Sequence, residues 1–477
     1  MGRTFAIVGG ALGLIVLALV VTPIATGGLA GDQLRAEVER MSKRNPAWQW
    51  QVESYERGLF SSKAKVHQSP AAAAGERASR SAIPWEVAIQ HGPTVINPNW
   101  VRMEATPRLY GQAQKIKSRL FPDESPLTVT FRVGLVGDRH IGLHSPAVDS
   151  GKRLPFSWEG LEVNADIGRE PPQIRFTAEM PALEAGLGPN SVKLKRFSSE
   201  GDMQRLRPFV WVGASRLDLG RLRLQTLNPN TGARFSLDLA GLTIENGSEA
   251  EDGLIHSQGE AEMSSAFTRA ASFRQIRARW GSRNVDAQAL EQLNLMLMDP
   301  EVATGTGVST QALGNRLDKL PVARFLAAEP KFTLDNATVT TRDGTLEASG
   351  RAHFLPPPDA GSAEPADLAE HARAELSLAM PEAVLHKLVA SFARVHATRI
   401  AKGTERFDRG DLDWMTEALA RRRVHEVRQE GLVETAGNRV SAEARWDGQR
   451  FTVNGKPIHD LEALLGSRPG PDELTRR

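Results

Sequence analysis

The chain has 477 residues, with 59 Lys and Arg against 57 Asp and Glu for a formal net charge of +2. This length allows two or three domains or one extended β structure. Because the charges are balanced and interleaved, the chain lacks the basic surface typical of nucleic-acid-binding proteins, and no nucleic-acid partner is expected. The chain contains no cysteine, which excludes disulfides, thiolate catalysis, zinc–thiolate sites and iron–sulfur clusters, and no cofactor is indicated.

The first predicted element is a membrane anchor over residues 1–30. Residues 5–24 (FAIVGGALGLIVLALVVTPI) carry no charged side chain, and about 20 apolar residues in a helix span the bilayer core. We therefore expect residues 5–24 to contact the lipid bilayer. A cleaved signal peptide has a shorter apolar region, but small residues around Gly28-Leu29-Ala30 leave cleavage open. Gly9 and Gly13 allow close helix packing, so a homodimer is also open.

The next segments are predicted as a stalk helix over residues 31–45, N-capped by Asp32, and an antiparallel β-rich region over residues 46–250. The strand pattern is clear in LTVTFRVGL, where apolar residues from Leu127 to Leu135 alternate with polar residues or glycine. Alternation with a period of two indicates a strand with one buried face. The region therefore favours long antiparallel sheet.

Helical and hairpin patterns mix in the second half of the chain. Residues 251–355 are predicted to combine helices, among them Ser265–Arg279, with a β-hairpin at Asp343-Gly344. The remaining segments are expected to be a linker (356–370), a helical region (371–430), a terminal β-hairpin at Asp447-Gly448 (431–460) and a tail (461–477). The predicted fold class is α+β and β-dominated: an N-terminal transmembrane helix, then extended antiparallel sheet with packed helices in the C-terminal half.

One short stretch, SYERGLFSSKAKV, combines residue types found in catalytic clusters. Strand-like alternation on both sides instead predicts a corner between two strands, with Gly58 taking a positive φ and Leu59 and Phe60 packing beneath the turn. Further on, His91-Gly92-Pro93 follows a predicted strand and ends it. His91 is therefore either a residue that fills a corner or an acid, ligand or pH sensor.

An ordered set of motifs resembles the YdgA-like family of bacterial envelope proteins. The motifs are YERGLFSS, VAIQHGP, TVTTRDGTLEASG and EARWDGQRFTVNGKP, spread over nearly the whole chain. The resemblance implies a single-pass protein of the bacterial inner membrane with the bulk of the chain in the periplasm. It supplies no established active site. The motif positions are expected to be structural: Tyr55, Arg57, Gly58, Phe60, His91, Gly92, Pro93, Asp447, Gly448, Asn454 and Gly455.

Two local patterns suggest chemistry but lack the partners that the chemistry needs. Ser62 and Lys65 fit a Ser-x-x-Lys pattern, yet on a strand residues three apart point to opposite faces. His140 and His144 have the spacing of helical metal ligands, but Gly142 and Ser145-Pro146 favour a strand or loop. No catalytic residue and no metal site is therefore assigned.

The sequence favours a non-enzymatic role over catalysis. The leading hypothesis is a membrane-tethered periplasmic β-rich scaffold that binds an apolar ligand, such as a lipid, or an envelope protein partner. One alternative is an envelope hydrolase with residues converging from distant segments, and its candidates are His91, His140, Asp138 and the Ser61/Ser62 pair. A homo-oligomeric structural envelope protein is the second alternative.

Overall fold

The computed structural model describes residues 35, 38–39, 48–58, 60–70, 83–92, 99–149, 156–168, 172–187, 189–227, 234–268, 272–297, 321–357, 367–401 and 409–458. The chain divides into two compact units. The N-terminal unit contains Met1–Arg234 and Leu290–Leu320, and the C-terminal unit contains Phe235–Ala289 and Pro321–Arg477. Antiparallel β-sheet dominates each unit.

Strands make up most of the described part of the N-terminal unit. The helix α1 (Gln112–Leu120) lies between β4 and β5. The strands are β1 (Trp48–Arg57), β2 (Ser61–Pro70), β3 (Ile83–His91), β4 (Val101–Pro107), β5 (Thr128–Val133), β6 (Arg139–Ser145), β7 (Val148–Asp149), β8 (Phe156–Trp158), β9 (Leu161–Ile167), β10 (Gln173–Leu187), β11 (Asn190–Arg207) and β12 (Val210–Leu227).

Neighbouring strands of this unit pair in the order β1-β2-β3-β4-β5-β6-β9-β10-β11-β12, and each of these pairs is antiparallel. β8 also pairs with β10, and β7 with β8. The strands from β1 to β9 bury one face, because apolar residues occupy every second position. Trp50, Val66, Trp85, Phe131 and Ile141 belong to this core, and each is at most 5% exposed.

The described part of the C-terminal unit also consists mainly of antiparallel strands, and it includes several helices. Its strands are β13 (Arg234–Glu251, which starts on the last residue of the N-terminal unit), β14 (Leu254–Thr268), β15 (Ser272–Phe273), β16 (Gln275–Asp286), β17 (Lys331–Thr341), β18 (Gly344–Phe354), β19 (Ala372–Pro381), β20 (Glu434–Ala436), β21 (Arg439–Trp446), β22 (Phe451–Val453) and β23 (Lys456–Pro457). The helices are α2 (Ala287–Leu297, which continues into the N-terminal unit), α3 (Val322–Ala327), α4 (Leu368–His371), α5 (Glu382–Ala401) and α6 (Arg409–Gln429).

Asp286 marks the change from strand β16 to helix α2. Its Oδ1 accepts hydrogen bonds from the backbone N–H groups of Gln288 (3.0 Å) and Ala289 (2.9 Å), as an N-cap does. Its Oδ2 accepts a hydrogen bond from Arg324 Nε at 2.8 Å. Asp286 is 6% exposed, so these donors replace the water that its carboxylate loses.

The fold class predicted from the sequence is wrong in its first element. No helix in the described part of the chain combines the length and the apolar character needed to cross a membrane, and residues 5–24 lie outside that part. What the structure has is large antiparallel β-sheet.

The predicted helix at Ser265–Arg279 is also wrong. Within this range, β14 continues to Thr268 and β16 begins at Gln275. β16 pairs with β14 on one side and with β17 on the other. Cross-strand pairing therefore outweighs the modest local helix propensity of this segment.

Candidate functional site

The first candidate site is the corner formed by the ends of β1, β2 and β3. Tyr55 Oη donates a hydrogen bond to Ser62 Oγ at 3.0 Å, and Ser62 Oγ lies 2.8 Å from His91 Nε2. Register explains the contact, because Ser62 pairs with Ile89 and His91 is the next residue of β3 on the same face. Arg57, which pairs with Ser62 from β1, completes the cluster.

The charge state of His91 follows from its surroundings. Burial lowers the pKa of His91, and the positive charge of Arg57 lowers this pKa further. The imidazole is therefore neutral at neutral pH. Since the Ser62 hydroxyl accepts from Tyr55, its own proton can be donated to His91 Nε2. The result is a hydrogen-bond chain from tyrosine through serine to histidine.

A serine paired with a neutral histidine has the composition of a nucleophile and its base. Ser62 is only 2% exposed, so its hydroxyl is closed to a substrate in this conformation. Its hydroxyl oxygen is already hydrogen-bonded on two sides. The cluster in this form holds the corner together.

The corner differs in detail from its prediction. Gly58 is not in the positive-φ region; a Cβ built on it would lie 2.3 Å from the backbone oxygen of Ser61. Glycine is required because the backbone approaches closely, not because of φ. Phe60 is 66% exposed, so the prediction that it packs beneath the turn is wrong. Leu59 and Pro93 lie outside the described residues.

The other predicted hydrolase residues do not join Ser62 and His91. His140 faces away from the core, and its Nδ1 lies 2.8 Å from Asp166 Oδ1. Asp138 lies in the turn before β6, where its backbone oxygen accepts from Gly134 N–H. Lys65 is exposed on the face of β2 opposite Ser62, as predicted. Across the described ranges, no group of three or more potential ligands is placed to hold a metal ion.

The C-terminal motif positions form two turns in the other unit. Asp447 Oδ1 accepts hydrogen bonds from the N–H groups of Gln449 and Arg450, and these bonds lower the pKa of Asp447. Gly448 follows with a φ of 94°. Asn454 and Gly455 both have positive φ (48° and 76°) between β22 and β23, the conformation of a type I′ hairpin. These positions shape turns.

The second candidate site is an apolar surface on the three long strands β10, β11 and β12. Three rows of apolar side chains cross these strands, and we call them the apolar rows: Met180, Phe197 and Leu219; Leu183, Leu194 and Leu222; Ala185, Val192 and Leu224. All except Leu219 are only half-buried. Core residues of β2 to β6 are by contrast almost fully buried.

The apolar rows change phase at one position. Between the first and second rows, each strand advances three residues, and Pro181, Arg196 and Gly220 lie in the gap. Residues three apart on a regular strand point to opposite faces. Arg196 has a φ of 52°, so β11 departs from regular alternation in this gap. The second and third rows lie two residues apart on each strand and therefore share one face.

Part of this site could have been found in the sequence. The spacing Met180 to Leu183, Phe197 to Leu194 and Leu219 to Leu222 is a phase shift shared by three segments. The contact of Ser62 with His91 has no such signal, because it depends on the register of β2 on β3. Sequence reasoning also missed the buried hydrogen bond of Gln68, which accepts from Trp85 Nε1 at 3.1 Å. The signal was present, because Gln68 lies at every second position after Ala64 and Val66 and so shares the buried face of β2.

Comparison with known proteins identifies the family of the chain. The model of a family described as "Bacterial protein of unknown function (DUF945)" matches residues 3–459. No curated protein and no solved structure matches the chain.

Proposed function

Since the chain belongs to this bacterial family of unknown function, we propose from its geometry that it is a non-enzymatic β-rich scaffold that binds the acyl chains of a lipid along the apolar rows. The observation that carries the proposal is the half-buried state of these side chains on the long strands. Apolar surface in contact with water is costly, and an acyl chain that covers it releases that cost.

The shape of the surface supports a lipid over a compact ligand. β11 and β12 each have 18 residues, and a strand advances about 3.3 Å per residue, so the surface is long and narrow. Charged side chains such as Lys193, Lys195 and Arg221 occupy the intervening positions, which on a strand point to the other face, so they lie outside the apolar surface. An acyl chain matches this long, narrow apolar surface.

The proposal is tested by the lipids that copurify with matched variants of the full chain. Leu194→Gln with Leu222→Gln places two amides in one apolar row. We expect lipid affinity to fall about tenfold for each leucine. The control is Lys195→Gln with Arg221→Gln, which changes the cross-strand pair next to Leu194 and Leu222. Equal lipid content in the two double variants, measured by mass spectrometry per mole of protein, would contradict the proposal.

One contact favours a second candidate function, an envelope hydrolase. Ser62 Oγ and His91 Nε2 are within hydrogen-bond distance, the relationship that a serine nucleophile needs. This function requires the corner to open, because Ser62 is buried. Labelling of Ser62 by a fluorophosphonate, lost in His91→Ala, would support it, and an unlabelled wild-type chain would argue against it.

Within the family we propose a YdgA-like protein, supported by the order of its motifs. The periplasmic location stays a prediction; a C-terminal reporter that is active only in the periplasm tests it, and a signal from a cytoplasm-only reporter would contradict it.

A further inference from the structure

Exposed apolar side chains of the N-terminal unit gather at one end of its sheet. Among the described residues of this unit, six large apolar residues are exposed, and five of them lie at this end: Phe60, Trp100, Leu135, Val136 and Leu206. The sixth, Tyr110, lies at the opposite end, just before α1. The concentration at one end marks an interaction surface, because singly scattered apolar residues would need no explanation. We call these five residues the apolar tips.

Hydrogen bonds connect three of the tips, Phe60, Trp100 and Leu135. His91 N–H donates to Phe60 O, and Gly92 N–H donates to Trp100 O, each at 2.9 Å. The Trp100 indole N–H donates to Leu135 O at 3.1 Å. The indole is therefore satisfied within the protein, while part of its ring stays exposed.

Two arginines lie immediately behind the tips. Arg102 and Arg132 are direct cross-strand partners on β4 and β5, and both are exposed. Within the part of the chain that the structure describes, neither guanidinium forms an ion pair with a carboxylate. Like charges directly opposite each other destabilise a strand pair, so an anion between them would be stabilising. Guanidinium groups bind phosphate oxygens in bidentate geometry.

We propose that this end of the N-terminal unit docks on the surface of a bilayer that contains anionic phospholipid. The apolar tips enter the acyl boundary, and Arg102 and Arg132 bind headgroup phosphates. Apolar and aromatic side chains beside arginine are the composition of interfacial binding surfaces. The opposing like charges favour an anionic bilayer over an apolar protein surface. The docking surface is separate from the apolar rows and does not depend on lipid binding there.

A local probe tests the docking in the full chain. Since the chain has no cysteine, Val136→Cys gives a single labelling site for an environment-sensitive fluorophore, and Tyr110→Cys gives a matched site at the opposite end. On vesicles of phosphatidylethanolamine with phosphatidylglycerol, we expect a blue shift and brighter emission at position 136 only. Because the signal is local, it does not depend on how other parts of the chain contact the vesicle.

The arginines are tested in the labelled Val136→Cys chain. Each basic residue near an anionic bilayer surface adds to the free energy of binding. The double variant Arg102→Gln with Arg132→Gln should therefore lower the ratio of inserted to uninserted probe about 30-fold. Lys115→Gln with Lys117→Gln removes the same charge from α1 and should change little. Higher salt should weaken insertion.

Three results would overturn the proposal. An equal response at positions 110 and 136 would show that the tips are not the docking surface. No response on anionic vesicles would point instead to a protein partner. A response that depends on protein concentration without vesicles would indicate a second copy of this chain.

Discussion

The Ser62 hydroxyl lies 2.8 Å from Nε2 of His91, although 29 positions separate the two residues. Ser62→Ala removes the acceptor of Tyr55 and the partner of His91 together. We expect it to lower the free energy of unfolding by about 1–3 kcal/mol, because buried polar groups are left without partners. Chemical denaturation measures this change.

Ser61→Ala is the matched control for Ser62→Ala. Ser61 is the adjacent residue of β2, exposed on the other face, and its change should stay within about 0.5 kcal/mol. If Ser62→Ala kept wild-type stability and lost a separable activity, the corner would be a catalytic site instead.

Stability should depend on pH through His91. Its folded pKa is lowered by burial and by Arg57, whereas the unfolded residue titrates near pH 6.5. Between these two values the unfolded state binds more protons, so the free energy of unfolding falls as pH decreases below about 6.5 and levels off below the folded pKa. His91→Gln should flatten this part of the profile.

Gly58→Ala should destabilise the N-terminal unit by about 1–3 kcal/mol, since overpacking forces the backbone to move. The new Cβ would lie 2.3 Å from Ser61 O. Gly168→Ala is the control, because its Cβ would meet no atom closer than 3.6 Å. Similar unfolding midpoints for the two variants would show that the close approach at Gly58 is unimportant.

Asp286→Ala should cost about 2–3 kcal/mol, because helix α2 loses its N-cap and Arg324 loses its partner. Asp286→Asn keeps an acceptor for the N–H groups of Gln288 and Ala289 and should cost less. Thermal unfolding ranks the two variants. An equal loss in both would assign the whole effect to the ion pair with Arg324.

Alternation was enough to predict an antiparallel strand where one face is deeply buried, as in β5. It failed at Ser265–Arg279, where pairing partners that are distant in sequence decide between helix and strand. The Asp343-Gly344 and Asp447-Gly448 hairpins were predicted because their turn chemistry is local. The half-buried state of the apolar rows could not be predicted, since it depends on what packs against β10 to β12.

Lipid binding along the apolar rows is tested most directly by photocrosslinking in the expressing cell. Benzoylphenylalanine replaces either Leu194 or Lys195, adjacent residues of β11 of which the first is half-buried and the second exposed. The account predicts a lipid adduct at position 194, identified by mass spectrometry, and none at position 195. Equal adducts at both positions, or a protein adduct at position 194, would contradict it.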